Sequence, residues 1–442
     1  MPLTYPAIRD LLTGALPRLN DRDAGAAIQP SGTVDGRVLA DTIDALDGSY
    51  LFVQGPPGSG KSFVGGDAVA RLLGRGRRIG ILTRSHKAAH SLLNEVERAA
   101  REHGVTFSGA HGCTKERHAY RSRYGDTSVI SAQNATALDS GAQLISGTQW
   151  TFAHPAAQGL FDVLVVDEAG QLALADVLAA ARSARNLVFL GDPSQLAQVV
   201  QGSHPPGTGI SVLEHLLGNR QTVPPERGIF LPLSWRMHPD ICAFVSRHVY
   251  EGRLNSVDGN EANVVQGRGD LQGSGLRWIP VDHSGNSRSS EEEAGVVVES
   301  IRDLLGGKVT VRAHAERTIT ADDVLVVCAY NAQRALIESK LMEAGIAVRV
   351  GTVDTFQGQQ APIVFYSMAT SSGEDMPRNM AFLFEKNRFN VAISRAQCLT
   401  VLVCSPRLLQ IHCTSPEQMA LANLLCAYAE SAQEVHDHAP SR

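Results

Sequence analysis

Gly55-Pro56-Pro57-Gly58-Ser59-Gly60-Lys61-Ser62 follows the apolar run Tyr50-Leu51-Phe52-Val53 and makes a G-x-x-x-x-G-K-S pattern. Such a loop binds phosphate. Its successive backbone N–H groups form an anion nest, and the helix that follows turns its positive end toward the ligand. Lys61 neutralises β- and γ-phosphate oxygens, and the Ser62 hydroxyl is placed to hold Mg²⁺. The pattern sits between a strand and a helical run (Phe63–Leu72), the context that a phosphate loop needs. The expected ligand is a nucleoside triphosphate with magnesium.

Two further strand ends carry matching chemistry. Asp167-Glu168 follows the apolar run Asp162–Val166, so both carboxylates fall at a strand's carboxyl end, where ligands bind in open α/β sheets. Asp167 suits Mg²⁺, mostly through water, and Glu168 suits orientation or deprotonation of an attacking water. Gly191-Asp192-Pro193-Ser194-Gln195 follows the run Leu187–Leu190, and Gln195 is placed to position water near a γ-phosphate. In the second half, Arg236 (in Ser234–Pro239) and Arg395 (in Asn390–Ala396) could stabilise charge on a transferring phosphoryl group. From sequence alone, each reads first as a surface ion-pair partner.

These groups need a scaffold that gathers strand ends. The first half alternates β-type runs (50–53, 79–82, 143–146, 162–166, 187–190) with helical stretches such as 86–102 and 172–182. The second half repeats the alternation, with strands at 324–329, 347–351, 362–368 and 398–404. Its helices lie near 238–247, 291–305, 331–344 and 416–430. Strictly alternating elements imply an α/β fold with parallel sheets flanked by helices. Residues 201–228 are rich in Gly and Pro, including Pro205-Pro206-Gly207, and read as a junction with a short helix near 210–217. Residues 252–290, rich in Gly, Ser and Asn, read as an exposed excursion. The resulting division is 1–30 as an N-terminal linker or extension, 31–220 as the first domain and 221–442 as the second.

Composition limits the alternatives. The chain has 442 residues, 43% hydrophobic and 19% charged, an ordinary globular balance. No apolar run approaches the roughly 18 residues that span a bilayer. No signal peptide is visible, and the seven cysteines have no paired spacing, so a cytoplasmic protein with reduced thiols is expected. His111, Cys113 and His118 lie close together but lack a fourth ligand at zinc spacing. A net charge of −5 excludes a passive, charge-driven nucleic-acid coat, though not a local basic track. The two richest basic clusters are Arg71–Arg84 and Lys115–Arg123; each alone reads first as solvated surface. At 5% aromatic residues, base stacking is expected to be a minor contributor.

The ordered set of motifs resembles the superfamily 1 helicases of clade B, the up-frameshift type. It comprises Gly55–Ser62, Thr83–Leu92, Asp167–Gln171, Gly191–Leu196, Trp235–Pro239, Tyr330–Gln333, Val353–Gln359 and Asn390–Ala396, and covers about residues 50 to 405. The likeness is nearest to the bacterial branch often fused to a RecB-like nuclease. It implies two tandem RecA-like P-loop domains and an ATP- and Mg²⁺-dependent enzyme moving 5′→3′ on single-stranded DNA or, less favoured, RNA, with ATP hydrolysed in the cleft between the domains. A RecB-like nuclease domain or subunit is the implied protein partner. By position, Lys61, Ser62, Asp167, Glu168 and Gln195 match the nucleotide and hydrolysis motifs, and Arg236 and Arg395 the two γ-phosphate arginines. Trp235 takes the place of the adenine-stacking aromatic. Gln333 lies in the fourth motif, and Gly358 and Gln360 in the fifth. Ser85, Thr148 and Thr355 match segments that touch the nucleic-acid backbone.

The chain departs from the family in three ways. Gln360 stands where a ribose-binding Glu is usual. Asp41–Gly48 holds no Gln where an adenine-reading Gln belongs. The accessory β-barrel and the nuclease have no counterpart, so the expectation is a core excised from, or encoded apart from, a larger protein. A second reading is an ATP-switched clamp on nucleic acid or a partner, without strand separation.

Overall fold

The computed structural model describes residues 5–196, 209–267, 269–312, 314–356, 358–377 and 380–435. Pro205-Pro206-Gly207 of the expected junction, and Gln357 of the Val353–Gln359 motif, lie outside the described residues. The chain divides into two compact units. The first comprises Met1–Pro56, Gly60–Pro193 and Ala197–Leu231, and the second Pro57–Ser59, Ser194–Leu196 and Pro232–Arg442.

The first unit is built on eight strands: β1 (Tyr50–Gln54), β2 (Ile79–Leu82), β3 (Gly109–Gly112), β4 (Val129–Ala132), β5 (Leu144–Gly147), β6 (Phe161–Asp167), β7 (Ala184–Gly191) and β8 (Gly228–Phe230). They lie in the order β4-β3-β5-β2-β6-β7-β1-β8, and every pairing is parallel. A parallel sheet covered on both faces reads as unbroken apolar runs, and β1 is buried at every position. Flanking helices include α1 (Pro6–Thr13), α2 (Gly36–Asp44), α3 (Lys61–Gly74), α4 (His86–His103), α5 (Asn134–Asp139), α6 (Gln149–Phe152), α7 (Leu174–Ala181) and α8 (Val212–Leu217). Helices α3 and α4 approach with backbones nearly touching. A Cβ added to Gly66 would stand 2.9 Å from the carbonyl carbon of Glu95, so a side chain there would push α4 away.

In the second unit, β9 (Leu233–Ser234) and β10 (Asn255–Ser256) pair in parallel, with helix α9 (Pro239–Val249) between them in the chain. A small antiparallel sheet joins β11 (Val264–Gln266), β13 (Lys308–Thr310) and β14 (Arg317–Thr318). The main sheet contains β12 (Gly275–Pro280), β15 (Val324–Cys328), β16 (Arg349–Thr352), β17 (Ala361–Ser367), β18 (Ala396–Cys404) and β19 (Gln433–Glu434). Its order is β16-β15-β17-β18-β12-β19, again all parallel. Helices α10 (Glu291–Leu304), α11 (Asn331–Glu343), α12 (Met380–Leu383), α13 (Lys386–Ile393) and α14 (Pro416–Ser431) accompany it. The expected α/β class with parallel sheets is borne out.

Three expectations need correction. Residues 5–30 form a packed extension and not a free linker: Ala7 and Leu11 of α1 are buried, and buried Asp10 pairs with Arg18 at 2.7 Å and accepts the Ser49 hydroxyl at 2.9 Å. One apolar face and one buried carboxylate fasten α1 to the first unit. The boundary at 220 is too early, because β8 pairs with β1 and the first unit runs to Leu231. Residues 252–290 are not simply an exposed excursion, since β12 lies between β18 and β19 within the main sheet. Glycine and serine around a six-residue strand mask its buried hydrophobic positions. Strands β3 and β4 also escaped the sequence reading, because Gly-Ala-His-Gly and Val-Ile-Ser-Ala are short and weakly apolar.

Strand β3 carries His111 into a histidine cluster. Its Nδ1 lies 2.8 Å from Ser146 Oγ, and its Nε2 lies 2.9 Å from His86 Nδ1. His118 stacks on His86 with ring centroids 4.4 Å apart, and His90 Nε2 lies 3.2 Å from the His118 carbonyl. Cys113 is buried nearby in sequence, yet among the described residues no group of three or more His, Cys, Asp or Glu is arranged to hold a metal ion. Burial, together with the neighbouring rings of His90 and His86, pushes the His111 pKa down to about 3; burial also lowers His86 and His90.

A depressed histidine pKa means that the unfolded chain takes up protons first. The cluster's contribution to stability is therefore complete above the ordinary value of 6.5 and erodes as pH falls toward about 3. Unfolding midpoints measured from pH 7.5 to 5 should fall more steeply for the wild type than for His111→Gln. Parallel pH profiles would show that these rings do not stay neutral in the fold.

Candidate nucleotide site and strand-contact rim

Parallel pairing brings the phosphate loop beside the other two strand-end motifs of the first unit. Gln54 of β1 is in register with Gly191 of β7, and Leu190 of β7 with Asp167 of β6. The Gly55 N–H donates to the Gly191 carbonyl at 2.9 Å, and the Gln54 amide nitrogen lies 3.4 Å from Asp192 Oδ1. Gly58 and Gly60 take left-handed backbone conformations, with φ of 75° and 74°. Residues with a side chain resist that region. Gly60 is also the N-cap of α3, so the loop turns directly into Lys61 at the helix start.

Lys61 Nζ lies 3.6 Å from Asp167 Oδ1. This pair sets the cation of the loop against the carboxylate expected to hold metal. Asp167 Oδ1 also accepts the Glu168 N–H at 2.9 Å. Glu168 has φ 53°, one of four positive-φ non-glycine residues among those described. Such a backbone is costly unless its surroundings fix it. Ser62 is half-buried. Ser62 and Asp167 offer a hydroxyl and carboxylate oxygens, the hard donors that Mg²⁺ prefers. The Ser59 hydroxyl is buried without a hydrogen-bond partner, which leaves a polar group of the loop available to a ligand. Pro56 and Pro57 are buried and hold the loop's entry. Gln195 is half-buried beyond the end of β7.

The second unit assembles a pair of arginines. Arg236 donates from Nε to Gln360 Oε1 at 2.7 Å and from Nη1 to the Ser394 carbonyl at 2.9 Å. Buried Arg395 donates from Nη1 to the Gln359 carbonyl at 3.2 Å. Desolvation first, then the charge of Arg395, pushes the Arg236 pKa down to about 9. Two like charges held this way are relieved by an anion.

Other expected nucleotide contacts are placed differently. Gln333 is fully buried: its Oε1 accepts the Ser290 N–H at 2.8 Å, and its Nε2 donates to Ser367 Oγ at 3.0 Å. It joins α10, α11 and β17 inside the second unit and has no surface for a ligand, so the nucleotide role is withdrawn. Exposed Gln360 accepts the Arg236 Nε–H through its amide oxygen, a bond that helps to orient the guanidinium. Trp235 is 54% exposed, with the Arg312 guanidinium 4.6 Å from its ring centroid. Gly358 is exposed with φ 78°.

The three expected strand contacts lie on rims of their own units. The Thr83 N–H donates to the Gly147 carbonyl at 3.1 Å, which sets Ser85 and Thr148 on adjacent strand ends of the first unit. Ser85 caps α4, its Oγ accepting the Ala88 N–H at 3.2 Å while its own proton stays available to donate. Thr148 precedes α6. Thr355 is exposed in the second unit, its hydroxyl 3.2 Å from that of Thr352.

Sequence reasoning missed one link. Arg84 Nη1 donates to Gln171 Oε1 at 3.1 Å, joining the segment before α4 to the loop after Asp167-Glu168. Both residues were inside quoted motifs, but only the sheet order β2-β6 puts those motifs side by side.

Comparison with known proteins agrees with this architecture. Two AAA domain models match the chain, over residues 40–205 and 208–407. The chain is 30% identical over 254 residues to DNA polymerase alpha-associated DNA helicase A of Schizosaccharomyces pombe, covering 53% of this chain and 36% of that protein. It is 23% identical over 385 residues to DNA replication ATP-dependent helicase/nuclease dna2 of the same organism, covering 80% and 26%. The chain thus spans 36% or less of the length of these two relatives. Among solved structures it is similar to the Arterivirus nonstructural protein 10 helicase, with a TM-score of 0.45 and 15% identity over 80% of this chain and 60% of that one. No described helix is long and apolar enough to cross a membrane. Two tandem AAA domain matches thus cover most of the chain, and the sequence relatives named here are helicases.

Proposed function

We propose that this protein is an ATP-dependent translocase and helicase core that moves 5′→3′ on single-stranded nucleic acid, DNA in preference to RNA. The observation that carries the reading is the gathering of Lys61, Asp167 and Glu168 at one sheet edge, beside a rim bearing Ser85 and Thr148. ATP phosphates bind the Gly55–Ser62 loop. Ser62 and Asp167 would hold Mg²⁺, which supplies charge neutralisation at the β- and γ-phosphate oxygens. Glu168 orients and deprotonates the attacking water, Gln195 helps to position it, and Arg236 and Arg395 stabilise charge on the transferring phosphoryl group. A RecB-like nuclease partner remains part of this proposal.

The Arg84–Gln171 bond offers a route between the two activities. A strand that draws on Arg84 would change the restraint on the loop carrying Glu168, so hydrolysis would respond to nucleic acid through a bonded contact within one unit.

The decisive experiment measures ATP hydrolysis with single-stranded DNA, single-stranded RNA and duplex side by side, together with displacement of a strand annealed with a 5′ overhang. Stimulation by single strands with displacement is expected. Hydrolysis indifferent to nucleic acid overturns the reading, and stimulation without displacement identifies a clamp.

Glu168→Gln should retain ATP in a fluorescent-analogue titration and lose at least about tenfold in turnover. Normal turnover would remove Glu168 from the role of base. Arg395→Ala and Arg236→Ala should each slow hydrolysis by about 10³-fold with little loss of ATP affinity. If both variants hydrolyse normally, the arginine pair does not serve the phosphoryl group. Gln171→Ala should lower the stimulation by single strands at least about fivefold while unstimulated hydrolysis changes little; equal loss in both rates would mean that Gln171 acts in the chemistry itself.

A further inference from the structure

The outer half of the first sheet holds a rim that the motifs leave unused. Strand order there is β4-β3-β5-β2. Neighbouring strands stand ~4.8 Å apart, so the ends of β2, β5 and β3 span about 10 Å. The first two carry Ser85 and Thr148. The third leads into residues 113–128, which include the second basic cluster seen in the sequence.

Two independent observations set this rim apart. The first is Trp150, two residues beyond Thr148 and 72% exposed. Among the described residues no aromatic ring or guanidinium packs on it, whereas Trp235 carries Arg312. Its neighbour Thr151 is anchored: a Cβ added to Gly112, the last residue of β3, would stand 2.9 Å from Thr151 Oγ1. The short helix bearing Trp150 is therefore seated over the end of β3 while the indole stays in solvent.

The second observation is charge. The Arg71–Arg84 cluster is largely neutralised, because Arg71 pairs with Asp67, Arg75 with Asp41 and Asp44, and Arg77 with Asp44. On α4, Arg98 pairs with Glu95 and Glu102. Lys115, Arg117 and Arg121 are exposed and have no ion pair among the described residues. The connection that carries them is nonetheless clamped to α4. The Tyr120 hydroxyl donates to Glu97 at 2.9 Å, Arg123 pairs with Glu95 at 2.8 Å, and His118 stacks on His86. The clamp engages Glu95 and Glu97 of α4, while Lys115 and Arg117, on either side of exposed Glu116, stay outside it.

We propose that this outer rim is a single-stranded nucleic-acid subsite, in which Trp150 stacks on one base and Lys115 and Arg117 hold the adjoining phosphates. The inference rests on the translocase reading for its ligand, and it extends the strand path outward past Thr148. Aromatic stacking is tolerant of sequence, and phosphate contacts are too, so the subsite strengthens grip without reading bases.

The test uses the full chain and fluorescently labelled mixed-sequence single-stranded DNA. Trp150→Ala should weaken binding about tenfold or more, and Trp150→Phe should keep most of it. A scan of single abasic sites along the strand should find a position at which wild type and Trp150→Ala bind alike, a signature that a merely structural residue would not give. Lys115→Ala/Arg117→Ala should lower the slope of log affinity against log salt by about 1.4, from two lost phosphate contacts at ~0.7 each. ATP affinity should be unchanged in every variant. Affinities and salt slopes equal to wild type overturn the subsite while leaving the translocase reading intact. A wild type that binds no single strand overturns the translocase reading and the subsite with it.

Discussion

Parallel strand pairing is the constraint on which the rest depends. When every strand of a sheet runs the same way, all carboxyl ends share one edge, and each connection must cross a face to return. In the first unit this edge collects the Gly55–Ser62 loop, Asp167-Glu168 and the Gly191 turn within three adjacent strands, β1, β7 and β6. On the other side of β6 it collects Thr83–Ser85 and Gly147-Thr148. The candidate nucleotide motifs and the expected strand contacts are thus neighbours in one sheet, with the Arg84–Gln171 bond across the seam.

Electrostatics then separates groups that bind from groups that hold the fold. Lys61 rests against Asp167, and Arg236 sits near Arg395 with its pKa depressed. These arrangements are unfavourable or loose by themselves and improve with a polyanion or a metal. Arg71, Arg75, Arg77 and Arg98 of the first unit are instead tied into ion pairs with Asp67, Asp41, Asp44, Glu95 and Glu102, and such pairs near the surface are each worth little.

A buried polar network organises the corresponding edge of the second unit. Glu293 of α10 accepts the Ser367 hydroxyl at 2.7 Å and the Ala369 N–H at 2.9 Å, and lies 3.0 Å from His283 Nε2. His283 Nδ1 lies 2.7 Å from Ser371 Oγ, and Gln333 joins through Ser367. Ala369 has φ 64°, and these bonds help to hold it there. The Ser-His-Glu chain resembles a nucleophile relay on paper, but all three side chains are buried, so its work is to fix the turn after β17.

The sequence by itself determined the fold class and showed the phosphate loop and the acidic strand end. Local pattern suffices for these, since a strand, a glycine turn and a helix are specified within a dozen residues. It read the first thirty residues as a linker or extension because α1 is short and its anchors, Arg18 and Ser49, are remote along the chain. It gave Gln333 to the nucleotide, whereas folding turned its amide into the core. The histidine cluster, the Arg84–Gln171 link and the exposed Trp150 were likewise invisible, because sheet order decides which strand ends meet and no residue encodes its neighbour across a sheet. Side-chain type is a property of the sequence; whether that side chain is buried, paired or left open is set by long-range packing, and only the tertiary structure decided it.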